Sequence, residues 1–177
     1  MRKLQMEELN RLSVEEFQET QKMNFCLILD DIRSMNNVGS AFRTADAFLV
    51  EKIYLCGITG TPPHREIEKT ALGSTESVAW EHRPDITELI QELKQNNYIV
   101  LAVEQVENSL KLTDFQPEPS QKYAFIFGNE VFGVNDTAIQ LADNCLEIPQ
   151  FGTKHSLNIA VTVGIVCWDY VSKIMAQ

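Results

Sequence analysis

No apolar run in the 177 residues reaches membrane-spanning length without a polar interruption, so no transmembrane helix is expected. The opening "MRKLQMEELNRLSVEEF" is too acidic for a transit peptide and has no apolar centre of a secretory signal, which leads to the expectation of a cytoplasmic protein. Cysteine is scarce. Cys26, Cys56, Cys145 and Cys167 form neither a zinc knuckle nor a CxxC pair, and each lies in an apolar stretch, as buried reduced thiols do. The three histidines, His64, His82 and His155, are scattered, and HExxH and DxDxDG are absent, so no metal site is expected. Positive charge is also short: the net charge of -10 argues against gripping nucleic acid by bulk electrostatics and leaves room only for a local basic patch.

Familiar catalytic signatures are missing too. No strand is followed by GxGxxG, which removes the standard dinucleotide fingerprint. "FGTKHS" separates Gly152 from Lys154 by a threonine and lacks the upstream glycine of a phosphate loop. The nucleophile elbow GxSxG is absent. His155 and Ser156 are adjacent, and neighbours in sequence point apart on most backbones, so they make a poor catalytic dyad.

What is present is hydrophobic content of 44%, enough for one core, and an alternation of strand-like and helix-like segments. Leu4, Leu9 and Leu12 suggest a short amphipathic helix, and Ser13 to Glu16 resembles a capping box opening a second. Six strands are expected, within "FCLILD", "KIYLCG", "ESVAWEH", "YIVLAVE", "SQKYAFIFGNE" and "NCLEIP". Between them lie the helical "NVGSAFRTADAFL", a short helix or loop "REIEKTAL", "ITELIQELKQN" capped by Asp85, and "NDTAIQLAD"; residues 156–175 should form the last helix. Such alternation predicts an α/β fold with a mostly parallel sheet flanked by helices. Ligands of such sheets bind at the carboxyl ends of the strands, here in loops rich in Gly, Asn and Pro.

In "NVGSAFRTADAFL", Val38, Phe42, Ala45 and Leu49 fall on one stripe and should face the core. Gly39 and Arg43 stack on another face. A helical glycine costs about 1 kcal/mol against alanine and needs a reason, such as close approach of a ligand or of another backbone. Asn36, Asn37 and Arg43 could supply donors around a concave spot there. The plainer pattern is an N-cap asparagine, a packing glycine and a surface arginine.

Three stretches, in order, resemble the SpoU (TrmH-type) RNA ribose 2'-O-methyltransferases of the SPOUT superfamily. They are "NNVGSAFRTADAF", with Asn-x-Gly and an Arg four residues on; "FIFGNEVFGV", with Gly-x-Glu-x-x-Gly after a strand; and "LEIPQFGTKHSLNIAVTVG", with Ile-Pro, a short loop and Ser-Leu-Asn opening the final helix. Together they span roughly residues 25–175.

The resemblance implies a methyltransferase domain over residues 24–177 behind a short helical extension, 1–23, with the C-terminal part threaded into a trefoil knot. It implies S-adenosylmethionine as cofactor, held by Val103, Glu104, Gly128, Asn129, Ile148, Pro149 and Leu157. The catalytic set it implies is Arg43, Asn37, Glu130, Ser156 and Asn158. Asn129 stands where the family often has a small residue. Arg33, Arg65, Lys69 and Lys154 are candidate RNA contacts beside Arg43, and their clustering on the active face would offset the acidic remainder. RNA is the implied partner, transfer RNA first and ribosomal RNA second, and the implied assembly is a homodimer through the apolar last helix. A non-catalytic RNA-binding relative, a base methyltransferase and an unrelated α/β hydrolase stand as alternatives. The intact Asn37, Arg43 and Glu130, the Ser-Leu-Asn signature and the missing nucleophile elbow, respectively, speak against them.

Overall fold

The computed structural model describes the backbone of residues 1–177 and the side chains of all but Met6 and Glu7. After a 3-10 turn (Met6–Leu9), the chain runs α1 (Val14–Glu19), β1 (Phe25–Asp30), α2 (Met35–Ala47), β2 (Ile53–Cys56), α3 (Arg65–Ala71) and α4 (Ser74–Ser77). It continues through β3 (Trp80–Arg83), α5 (Ile86–Gln95), β4 (Tyr98–Val103), β5 (Leu110–Lys111) and β6 (Lys122–Phe127). It ends with α6 (Asp136–Leu141), β7 (Asn144–Glu147) and α7 (Ile159–Met175). Seven strands, one more than the sequence suggested, form a sheet in the order β3-β2-β1-β6-β4-β7-β5, and every pairing is parallel.

Strand alternation divides the core between the two faces of this sheet. Phe25, Leu27 and Leu29 of β1 point to the layer of α2 and α7, against Phe42, Val163 and Tyr170. Cys26 and Ile28 point the other way, into the layer of α5 and α6, against Leu89, Ile90 and Ala138. Tyr170 of α7 is the wedge of the first layer, its ring 4.5 Å from that of Phe25 and 6.0 Å from that of Phe125. Burying a side chain of this size contributes on the order of 2–3 kcal/mol. All four cysteines are buried and unpaired, and burial pushes the Cys56 thiol up to about 12.

α7 is rich in β-branched residues, which favour strands; tertiary burial of Ile159, Val163, Val166 and Val171 overrides that preference. Its burial is one-sided in the single chain. Val161, Trp168 and Met175, seven residues apart, are 50%, 60% and 75% exposed.

At the N-terminus the capping box forms, with Glu16 bonding back to the Ser13 N–H at 2.8 Å. Leu4, Leu9 and Leu12 are exposed around a single 3-10 turn, so the amphipathic helix expected there is not built. The "ESVAWEH" segment opens as α4 and turns to strand only at Trp80.

The helical glycine has a packing cause. A Cβ on Gly39 would lie 2.2 Å from the Ile67 carbonyl oxygen and from the Thr70 hydroxyl, so α2 and α3 touch backbone to backbone. The concave spot is filled by α3, and the Thr70 hydroxyl donates to the Asn36 carbonyl at 3.0 Å. The N-cap of α2 is Ser34, which accepts from the Asn37 N–H.

Candidate active site

The loops after β4, β6 and β7 meet around one cavity of about 600 Å³, a size typical of small-molecule sites. Phe127, Leu146, Ile148, Leu157 and Ile159 supply apolar wall; Glu104, Gln105, Gln150, Ser156 and Thr162 supply polar wall. Among the described residues no lysine or arginine lines it. Val103, Gly128 and Asn129 line it as well, whereas Pro149 does not, although both its neighbours do.

The loop after β6 is tied into one shape. Asn129 and Gly133 exchange both backbone hydrogen bonds at 2.9 Å. The buried Asn129 amide donates to the Asp31 carbonyl at 2.7 Å, and its oxygen accepts from the Val131 and Phe132 N–H groups at 2.9 and 3.1 Å. A small residue could make none of these side-chain bonds. A Cβ on Gly128 would fall 2.2 Å from the Val134 amide nitrogen, so only glycine lets the loop close this tightly. Glu104 reaches across from the end of β4 and accepts from the Val134 N–H at 3.0 Å.

At the mouth of the cavity three distant segments are joined by carboxylate and amide groups. Glu130 accepts from the N–H groups of Arg33 and Ser34, both at 3.1 Å, and from the Asn37 side-chain amide at 3.2 Å. The carboxylate thereby takes up free donors at the start of α2, where the helix dipole also favours negative charge. Partial burial pulls its pKa upward; the N–H groups of Arg33, Glu130 itself and Ser34 and the Asn37 amide together outweigh that and hold it below the ordinary value. The Asn37 oxygen accepts from the Asn158 amide at 3.3 Å, and the Asn158 oxygen caps α7 through the Ala160 N–H at 2.8 Å. Ser156, exposed, stands two residues before that cap and lines the cavity.

The other predicted residues are spread over the surface. Arg43 is exposed and lines a separate groove of about 620 Å³ with Lys69, Thr70, Phe48 and Gly164. Arg33 lines a second cavity of about 530 Å³ on the far side of the Asn129–Gly133 loop. Arg65, one turn before Lys69 on α3, and Lys154 are exposed and line none of these three clefts. Arg43 and Lys69 thus share one groove, and Arg33 lines another cleft. Two residues of the second cavity, Asp30 and Phe132, were not anticipated. The strand ends and glycine-rich loops were expected to carry the ligand, but nothing in the sequence singled out these two side chains within them.

The family model described as "SpoU rRNA Methylase family" matches residues 24–168. The chain belongs to the SpoU methylase family. All three segments joined at the cavity mouth lie within the matched range. This SpoU chain is similar to the tRNA (guanosine(18)-2'-O)-methyltransferase of Thermus thermophilus, at 28% identity over 163 residues, covering 92% of this chain and 81% of the relative. Its fold is that of the A. aeolicus TrmH/SpoU tRNA modifying enzyme, with a TM-score of 0.82 at 22% identity over 92% of this chain and 81% of the other. The SpoU methyltransferase AviRb from Streptomyces viridochromogenes, solved in complex with the cofactor AdoMet, has a TM-score of 0.80 at 19% identity, covering 90% of this chain and 64% of that one. Among the described residues no group of three or more His, Cys, Asp or Glu side chains could hold a metal ion.

Proposed function

We propose that the chain is an RNA ribose 2'-O-methyltransferase using S-adenosylmethionine, with transfer RNA as first substrate class and ribosomal RNA as second. The observation that carries this reading is the Glu130–Asn37–Asn158 chain of hydrogen bonds at the cavity mouth, made from the three segments that resemble the family's motifs. The name of the Thermus relative favours transfer RNA, and the family's own description favours ribosomal RNA.

The residues of the cavity fit the cofactor. Ile148 and Leu157 provide an apolar slot for an adenine, and the wall holds Glu104 and Glu130 with no lysine or arginine, as suits a cationic ligand. S-adenosylmethionine would supply an electrophilic methyl group on a sulfonium. The chain's own part is placement and proton management. Ser156 and Asn158, on the approach to α7, are placed to orient the acceptor ribose, and Asn37 and Glu130 keep that approach in register with α2. Holding reactants in line is worth several kcal/mol of barrier. Arg43 is proposed to act on the 2'-hydroxyl. A guanidinium has a pKa above about 12 and stays protonated, so its role is to stabilise the developing oxyanion or to hold the adjacent phosphate.

Because Arg43 opens onto a groove bounded by α7, a homodimer over the exposed Val161, Trp168 and Met175 stripe would set that groove against the partner copy. The trefoil knot belongs to the same proposal, as do RNA contacts at Arg33, Arg65, Lys69 and Lys154 and a cytoplasmic location. The test is methyl transfer from radiolabelled S-adenosylmethionine to bulk transfer RNA and ribosomal RNA, with thermal melting in S-adenosylhomocysteine alongside. The product should raise the melting temperature, and Arg43→Ala should lose transfer while keeping that rise. No rise, or full transfer by Arg43→Ala, would remove the reading.

A further inference from the structure

The cavity across the loop from the cofactor site holds a group with no structural task. Asp30, the last residue of β1, is only 4% exposed. Among the described residues no hydrogen bond or ion pair reaches its carboxylate, and neither oxygen is sealed from the cavity it lines. Burial, and then the charge of Asp31, push its pKa up to about 6. A buried carboxylate without donors costs free energy, and such a cost in a cavity calls for a ligand that supplies the donors.

The rest of the cavity defines that ligand. Ile58 and Phe132 are 67% and 84% exposed and give it two apolar surfaces. Asp31 and Asp136 also line it, against the single cation of Arg33, so phosphate is repelled from the interior. One Asp31 oxygen is already used, accepting from the Ile58 N–H at 2.9 Å. A flat, uncharged, donor-bearing ring fits, with its phosphate left outside beside Arg33. Among the neutral bases, guanine presents two adjacent donors, N1–H and the 2-amino group, that match both oxygens of one carboxylate.

We propose that this cavity is a guanine subsite for the target nucleotide, in which Asp30 accepts from N1–H and the 2-amino group while Phe132 stacks on the ring. It rests on the methyltransferase reading for its link to RNA. Asn129, Phe132 and Gly133 line this cavity and the cofactor cavity alike, so a base seated in one leaves its ribose at the rim of the other. The tie from the Asn129 amide to the Asp31 carbonyl holds the shared wall against the end of β1. Stacking on an aromatic side chain adds affinity without choosing a base, so the choice falls to Asp30.

The test is a titration of the isotope-labelled full chain with guanosine, inosine and adenosine 5'-monophosphates, following the amide resonances of Ile58 and Val134. Inosine lacks only the 2-amino group. The guanosine nucleotide should bind at least about fivefold more tightly than the inosine nucleotide, as loss of one of two paired bonds predicts. Asp30→Asn should erase that ratio. Phe132→Ala, on an exposed loop position, should weaken both nucleotides alike and keep the ratio. Equal affinity for the two nucleotides, unmoved amides, or a ratio that survives Asp30→Asn would overturn the proposal. Melting in S-adenosylhomocysteine without nucleotide separates the two readings. A rise there with no guanosine preference removes only the guanine subsite; a guanosine preference with no rise removes only the methyltransferase.

Discussion

Glu130 and Asp30 are carboxylates on either side of one short loop, and their surroundings are opposite. Glu130 is exposed yet accepts from three donors at the start of α2, and its pKa is held down. Asp30 is buried, has no donor among the described residues, and its pKa is driven up to about 6. Exposure alone would have ranked them the other way. The first is a pin that fixes geometry, and the second an acceptor held open.

The widest way to break that contrast is to remove the pin. Glu130→Ala frees the start of α2 and leaves the Asn37 amide, which also holds Asn158, without its anchor, and misplacement of this kind costs about a hundredfold in rate. Initial rates of methyl transfer to bulk transfer RNA check this. A rate within threefold of the parent would show that Glu130 is not organising the site.

The next effect concerns stability and has the opposite sign. Asp30 has a folded pKa of about 6 against an ordinary 3.8, so the fold favours its neutral form. Its penalty is absent below pH 3.8 and complete above about pH 6. Asp30→Asn should therefore stabilise the chain by on the order of 2–3 kcal/mol at pH 7.5, with the gain fading toward pH 4. Glu130 runs the other way, its contribution present above the ordinary carboxylate value of 4.5 and lost as pH falls through the lowered one. Urea unfolding of both variants across this range should give slopes of opposite sign.

The smallest effect is expected at the bridge between α2 and α7. Asn37→Ala leaves Glu130 its two backbone donors and removes one link on each side, at about 1 kcal/mol of stability. Transfer should drop roughly tenfold, less than for Glu130→Ala. A larger loss at Asn37 than at Glu130 would make the asparagine the organising group.

Much of this was legible locally. "FCLILD" reads as a buried strand because both its faces are covered, and "ITELIQELKQN" as a helix because Asp85 caps its first turn. The cavity loops were legible because a parallel sheet places its ligand at the carboxyl ends of its strands. β5 was not, since Leu110–Lys111 exists only as pairing with β7, across residues far apart in sequence. Gly39 announced a close approach but not what approached. The acids were the hardest to read: whether Glu104, Glu130 or Asp30 meets a donor depends on chain brought from tens of residues away.

The strand order carries a consequence for synthesis. β1 is apolar on both faces and pairs on one side with β2, but its other neighbour is β6, about a hundred residues downstream. At ordinary translation speeds that edge stays open for roughly 5–20 s while the intervening chain emerges. An apolar strand with an unpaired edge is a template for association with other chains. The nascent polypeptide is therefore most in need of chaperone cover in the interval between the release of β2 and the arrival of Phe127.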